Sequence, residues 1–591
     1  MPPHDPHSYT DLDQARIEHI TFRLEADFAT RQLLGRAIYR LDRPSRGPLD
    51  LDTRGLDVLA ARSGTETLRW DLGPVDPILG QRLRLADLGG RREVEIEFRT
   101  RPDAGALQWL TPEQTGGRRH PYLFTQCQPI HARTVFPCQD SPSVRFTFEA
   151  EVTAPAPLTV VMAAAPHGSE PAGAGRLFRF IMPQPIPSYL FALAIGDIVR
   201  RDLGPRTAVY AEPGLADDAA WEFAQTEQML SEGEKLFGPY EWERYDMIVM
   251  PPSFPYGGME NPRLTFLTPT ILAGTRALVN LIAHELAHSW TGNLVTNATW
   301  EDFWLNEGWT TYAERRIIEV LEGVDGANLR AQTGRNTMFR AMRLFGIDSD
   351  PTRLKFSQKG TDPESVVSYV PYEKGYSFLV RLERVVGRTA FDRFAREYIR
   401  DHRFQSLTTE AFVEYLRKKL PQAARAVDLQ TWLYRPGFPD DAPPFPSRKA
   451  DAVSECLFDY QERGQLPSGD HVTGWSTSQV YFFLQMLPRP MPVEDCRKLD
   501  DVLDMPHSRI AVNQSNFYEI SIRSGYREVL PRVEALLGTV GRMFVVIPVF
   551  QALASTPWSR TLARPMYELF RERHHPITAS TMEGVLEREG L

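Results

Sequence analysis

The stretch Leu278–Val295, LVNLIAHELAHSWTGNLV, carries the pattern H-E-x-x-H at His284, Glu285 and His288. Its apolar residues recur at spacings of three and four, which predicts a helix with one buried face. Residues four apart on a helix sit one turn from each other and nearly in line. Both imidazoles can therefore reach one metal ion, while Leu281, Ile282 and Leu286 seat the helix in a core. Glu285 lies beside the first ligand and is expected to face the open coordination position, where it handles a proton from water. The competing reading is a chance match in a core helix. Paired histidines and glutamates buried on apolar helices would then be costly without a metal.

The next apolar helix, in Thr299–Arg316 (TWEDFWLNEGWTTYAERR), supplies a candidate third ligand. Glu307 follows His288 by 19 residues, enough to end the first helix, turn at Gly292–Asn293 and return antiparallel. Two histidines and a glutamate form the His₂Glu set of zinc hydrolases, one ion per chain, with a position left for water. Glu314, seven residues on, shares a helix face with Glu307. It is a candidate to support a ligand histidine from behind, with an ordinary surface glutamate as the alternative.

Upstream, the chain reads as β-structure. Ile20, Phe22, Leu24, Ala26 and Phe28 alternate strictly, as do Val94, Ile96 and Phe98, and Val144, Phe146, Phe148, Ala150 and Val152. Period two predicts strands with one buried face. We expect a β-rich domain over 1–198 and a catalytic domain over 199–440. From Asp217 onward the periodicity is mostly helical, as in Ala220–Phe237. The Pro-rich stretch Arg435–Arg448 reads as a linker, because closely spaced prolines continue neither helix nor central strand, and the linker between domains is set at 441–449. Over 450–591 short helical patterns follow one another, at Gln479–Leu487, Val493–Leu503, Val529–Leu537 and Thr561–Glu572, with no clean repeat.

The 591 residues carry a net charge of −9, with 42% hydrophobic and 24% charged residues. Such a chain forms several domains with ordinary cores. Extended disorder, a collagen-like or disulfide-built scaffold, and nucleic-acid binding through a net basic surface are excluded. No run approaches the roughly 18 apolar residues of a membrane span, so no membrane insertion is expected. The N-terminus MPPHDPHSYTDLDQ shows no secretory signal. Four cysteines, Cys127, Cys138, Cys456 and Cys496, do not point to an oxidising compartment, and a cytoplasmic location is expected.

Several further motifs stand in one order along the chain. They are Tyr122–Val144 (YLFTQCQPIHARTVFPCQDSPSV), Pro251–Thr270 (PPSFPYGGMENPRLTFLTPT), Val370–Gly375 (VPYEKG) and Gly541–Met543 (GRM). With the zinc motif, they make the sequence resemble the M1 family of gluzincin zinc aminopeptidases, in the leukotriene A4 hydrolase and aminopeptidase B branch. The resemblance implies a multidomain α+β fold: a saddle-like β-rich N-domain, a thermolysin-like catalytic domain and an α-helical C-domain.

It also implies roles. Glu260 matches the glutamate that binds the substrate ammonium, and Gln128 a glutamine lining the same pocket. Tyr256, Gly257, Gly258 and Met259 precede Glu260, and the two glycines let an extended peptide approach closely. Tyr372 resembles the tyrosine that donates to the oxyanion. Arg542 matches an arginine for the substrate's C-terminal carboxylate, but the lysine usual two positions later is Phe544 here. Cys127 and Cys138 are expected to be packed thiols. Leukotriene-processing members carry an aspartate and a tyrosine where this chain has Glu364 and Val367. The expected activity is therefore zinc-dependent removal of single N-terminal residues from peptides with a free amine. A lipid epoxide hydrolase is the alternative, and Glu364 could favour a basic first side chain.

Overall fold

The alternation in Ile17–Asp27 becomes a strand whose Ile20, Phe22, Leu24 and Ala26 are all buried. The computed structural model describes residues 4–86 and 88–591. The strand sits in an eight-stranded sheet. Its order is Ala165–Ala172, Gly175–Pro187, Arg145–Pro155, Ile17–Asp27, Gln32–Leu41, Glu93–Thr100, Leu56–Ser63 and Glu66–Thr67. Ile17–Asp27 pairs parallel with Arg145–Pro155, joining the two longest alternating stretches of the sequence. A four-stranded sheet (Thr159–Met162, Leu193–Gly196, Tyr122–Thr125, Leu107–Leu110) and a three-stranded one complete this N-terminal unit. Phe22, Phe136, Phe148 and Phe191 pack ring against ring between the layers, with centroids 4.9–6.0 Å apart.

The catalytic region departs from the mostly helical pattern expected from Asp217 onward. It opens with a five-stranded sheet in the order Val199–Asp202, Thr207–Ala211, Tyr245–Val249, Leu264–Leu267 and Gly258–Met259. The three central strands are parallel, and Gly258–Met259 closes the edge antiparallel to Leu264–Leu267. Tyr245–Val249 and Leu264–Leu267 are buried throughout, so they lack the two-residue alternation that betrays a half-buried strand. The expected helix Ala220–Phe237 is broken, running as Ala216–Glu222 and Thr226–Phe237.

Helices Val279–Ala287, Trp304–Phe345 and Val370–Val386 pack beside this sheet. Trp304–Phe345 is two limbs, since Gly323 has φ 76° and ψ 168°, a conformation outside the helical region. The Pro-rich stretch is no free linker. Phe445 is buried and stacks on Tyr376 at 5.2 Å. Gln332, Arg335, Arg384 and Asn328 donate to the carbonyls of Phe445, Pro443, Pro444 and Pro446. Proline removes backbone donors but leaves acceptors, and arginines on the adjoining helices satisfy them.

From Arg448 onward the chain is helical, with its own core around Phe483, Val545, Val549, Phe550 and Leu553. The N-terminal and catalytic units share one continuous core. Backbone bonds from Gly541 N to Pro252 O and from Met543 N to Pro255 O, both 2.8 Å, tie the helical unit to the loop before Tyr256.

Candidate active site

The helix Val279–Ala287 is followed at once by His288, and both histidines point toward Glu307 at the start of Trp304–Phe345. Between them the chain turns at Gly292, where φ is 130° and a Cβ would lie 2.6 Å from His288 Nδ1. It then passes through a short strand, Val295–Asn297, before Glu307. Glu307 Oε2 stands 3.4 Å from His284 Nε2 and 3.5 Å from His288 Nε2. These separations exceed a charge-assisted hydrogen bond of about 2.7–2.9 Å. They match the ~3.3 Å expected between two ligand atoms each about 2.0–2.1 Å from a tetrahedral ion. Glu307 Oε2 is buried with no hydrogen-bond partner.

The far nitrogens are engaged. His284 Nδ1 lies 3.1 Å from Glu314 Oε2, and His288 Nδ1 lies 3.0 Å from the Thr291 carbonyl. A donor Nδ1–H on each ring leaves its Nε2 lone pair facing Glu307, the orientation a metal requires. Thr310, one turn after Glu307, adds its hydroxyl 3.1 Å from His288 Nδ1. Burial alone would raise Glu307, and positive charge at the histidine positions lowers it, a charge that a metal ion held by neutral imidazoles would supply instead. The donor set, its spacing and the orphaned oxygen all fit zinc.

Around this centre stand further groups. Glu285 is buried, and burial pushes it up to about 7 against the pull of His284 and His288. Its carboxylate lies against Gly258, where any Cβ would collide with it. Glycine there lets the edge strand Gly258–Met259 approach the zinc helix, and among the described residues no strand covers its outer edge. Carboxylate oxygens of Glu260 and Glu285 and a nitrogen of His288 lie within 4.8 Å of one another. Glu260 is buried. Gln128 Nε2 reaches its Oε1 at 3.4 Å, and Asn293 Nδ2 donates to its carbonyl at 2.6 Å.

Tyr372 stacks on His284, with centroids 5.8 Å apart and planes 20° from parallel, between Phe303 and Tyr369. Burial, then the Glu307 charge, pushes its phenol well above the ordinary value, so the hydroxyl stays a donor. Arg542 lies against Gly257, its guanidinium 5.6 Å from the Phe544 ring, which in turn packs on Tyr369. Met259 is buried, with Sδ 3.3 Å from Gln126 Nε2. Tyr256 Oη donates to Glu364 Oε1 at 2.6 Å, and His131 Nε2 stands 3.4 Å from Glu364 Oε2. The structure thus gathers His284, His288, Glu307, Glu285, Glu260, Gln128 and Tyr372 in one cluster, with Gly258 against Glu285, Arg542 against Gly257, and Tyr256 and Met259 on the same segment.

The sequence reading did not single out Thr310, Asn293 or His131. Thr310 sits three residues after Glu307, a spacing that could have flagged it. Nothing local marks Asn293 or His131, which act across 33 and 233 residues of chain.

Comparison with known proteins agrees. The Peptidase family M1 domain matches residues 221–432, and the Peptidase M1 N-terminal domain matches 82–190. The leukotriene A4 hydrolase C-terminal domain matches 475–586. The leucine aminopeptidase 2 of Aspergillus niger is 36% identical over 608 residues, covering 98% of each chain.

The chain belongs to peptidase family M1.

The leucine aminopeptidase 2 of Neosartorya fischeri aligns with this M1 peptidase at 36% identity, again over 98% of each chain. Yeast LTA4 hydrolase superposes with a TM-score of 0.92 at 32% identity, covering 99% of this chain and 98% of its own. An M1 zinc metallopeptidase of Deinococcus radiodurans gives 0.58 at 22% identity over 73% of this chain and 97% of its own, a likeness of fold alone. The three-part architecture of β-rich N-domain, catalytic domain and helical C-domain is the one shared with the yeast hydrolase.

Proposed function

We infer that this M1 peptidase is a zinc-dependent aminopeptidase that removes single N-terminal residues from peptides. The observation that carries the reading is the pairing of the His284–His288–Glu307 set with a buried carboxylate, Glu260, beside the same His288. Zinc held there supplies a Lewis acid for the scissile carbonyl and brings the pKa of a water toward neutrality.

Glu285 takes the proton from the attacking water and passes it to the leaving amine. Tyr372 donates its hydroxyl to the oxyanion. Glu260, with Gln128 beside it, accepts hydrogen bonds from the substrate ammonium and so limits the cut to one residue. The edge Tyr256–Met259 receives the extended peptide backbone, and Arg542 its carboxylate. Phe544 packs on Tyr369 in place of a second cation, which weakens any preference for very short peptides. The first residue is apolar, as the names of the fungal relatives indicate for those enzymes. Glu364 supports this, because Tyr256 and His131 already engage both its oxygens. Four unpaired thiols support a cytoplasmic location. Among the described residues no helix is long and apolar enough to cross a membrane.

A panel of aminoacyl arylamides tests this directly. Leucyl arylamide should be cleaved faster than arginyl, N-acetylated forms should resist, and a chelator should stop turnover that zinc restores. Glu285→Gln should retain zinc while kcat falls about 10²–10⁴-fold; an active variant would remove Glu285 from the mechanism. The likeness to yeast LTA4 hydrolase favours a second reading, epoxide hydrolysis of a lipid. Val367, exposed and without a hydroxyl, stands against it. Diol formation from an epoxide substrate would establish it.

A further inference from the structure

Arg315 and Glu373 are buried together, each 5% exposed, and joined by two hydrogen bonds of 2.5 and 2.9 Å. Neither touches the zinc ligands. Each is nevertheless the immediate chain neighbour of a residue that acts on the site. Arg315 follows Glu314, whose carboxylate orients His284. Glu373 follows Tyr372. The pair therefore links the helix holding Glu307 and Glu314 to the helix holding Tyr372.

Three features make this link stiff. The two helices touch backbone to backbone at Gly308 and Gly375, where a Cβ on either would lie 2.8 Å from the other's Cα. The Arg315 guanidinium also stacks on Tyr376, 4.1 Å from its ring centroid. The second limb of the long helix closes over the pair at Gly334, where a Cβ would collide with Glu373 Oε1. A planar fork on a carboxylate resists rotation as well as separation, which a single hydrogen bond does not. A buried ion pair is weak evidence for stability, since apolar residues of similar volume often serve as well. Its presence between the helix of Glu307 and the helix of Tyr372 therefore asks for a reason of geometry.

We propose that the Arg315–Glu373 pair is a positioning device that holds the Tyr372 hydroxyl in register with the zinc ligands. The pair sets how far the tyrosine helix slides and rolls against the glutamate helix, and thereby where the phenol stands relative to His284. This rests on the reading of Tyr372 as the oxyanion donor given above.

The test is a mutant cycle on the zinc-loaded full-length chain, with an aminoacyl arylamide as substrate. Glu373→Gln leaves Arg315 charged and unpaired, which destabilises the fold as well as the link. The double variant Arg315→Met with Glu373→Gln removes both charges and keeps the volume. Each is made with Tyr372 intact and with Tyr372→Phe. With Tyr372 intact, kcat should fall about 10- to 100-fold, the effect of a small misplacement, while KM and zinc content hold. With Tyr372→Phe already present, the same change should cost less than about threefold, because both routes remove one interaction. Equal losses in the two backgrounds would overturn the proposal. So would a double variant with a lowered melting temperature but unchanged kcat, the mark of a purely structural pair. If Tyr372→Phe alone kept full kcat, the oxyanion role itself would fall, a result distinct from either.

Discussion

Glu314 and Gly258 show how much a single position contributes to this centre. Glu314 was legible in the sequence only as a glutamate seven residues after Glu307, equally suited to a helix surface. In the fold it is buried and faces His284 Nδ1 at 3.1 Å. Glu314→Gln keeps the shape and removes the charge. It should weaken zinc binding about 10- to 100-fold, the usual cost of losing an outer partner of a ligand histidine. Competition with a chelator measures this, and unchanged affinity would return Glu314 to a surface role. The matching partner of His288 is a backbone carbonyl, Thr291 O, which every residue type offers. No sequence signal marks it. Gly258 on its own reads more readily as an ordinary turn; contact with Glu285 is what requires glycine there.

Among the elements, the Pro-rich strap 441–447 is the clearest departure from the sequence reading. Prolines correctly ruled out helix and strand, but composition carries no information about what the strap lies on. Phe445 sits between Tyr376 and Arg335, the guanidinium 4.7 Å from its ring. Phe445→Ala should cost about 3–5 kcal/mol, the range for a buried phenylalanine. Chemical unfolding measures it, and a change below about 1 kcal/mol would mean that the strap is only laid against the surface. The five-stranded sheet was missed for a related reason. Short strands buried on both faces show no alternation, and short apolar runs do not separate strand from helix.

The whole molecule has a pH dependence written into the junction of its units. His575 is fully buried and packs on Phe124 of the N-terminal unit, centroids 5.9 Å apart, and its neighbour His574 is also buried. Burial pushes His574 down to about 4 and His575 down to about 3, with Arg573 and His131 respectively adding to the shift. Both stay neutral in the folded chain well below 6.5, where unfolded histidine takes up its proton. The unfolded state therefore binds more protons as the pH falls. Their contribution to stability is complete above 6.5 and is lost from there down to about 4 for His574 and about 3 for His575, at up to about 1.4 kcal/mol per pH unit for each. The thermal midpoint should drop between about pH 7.5 and about pH 5, and less so in His575→Gln. An equal drop in that variant would place the acid sensitivity elsewhere.

The helix bearing His284 and His288, the placing of Glu307 as their candidate partner and the alternating strands of the N-terminal unit were legible in the sequence alone, because each is a periodicity or a fixed spacing along the chain. The tertiary structure decided the rest. The partners of His284 and His288, the packing of Gly258 on Glu285, the strap beneath Arg335 and the Arg315–Glu373 bridge all join residues far apart in sequence. Local physics gives such contacts no signature, since they exist only once the helices and sheets have packed.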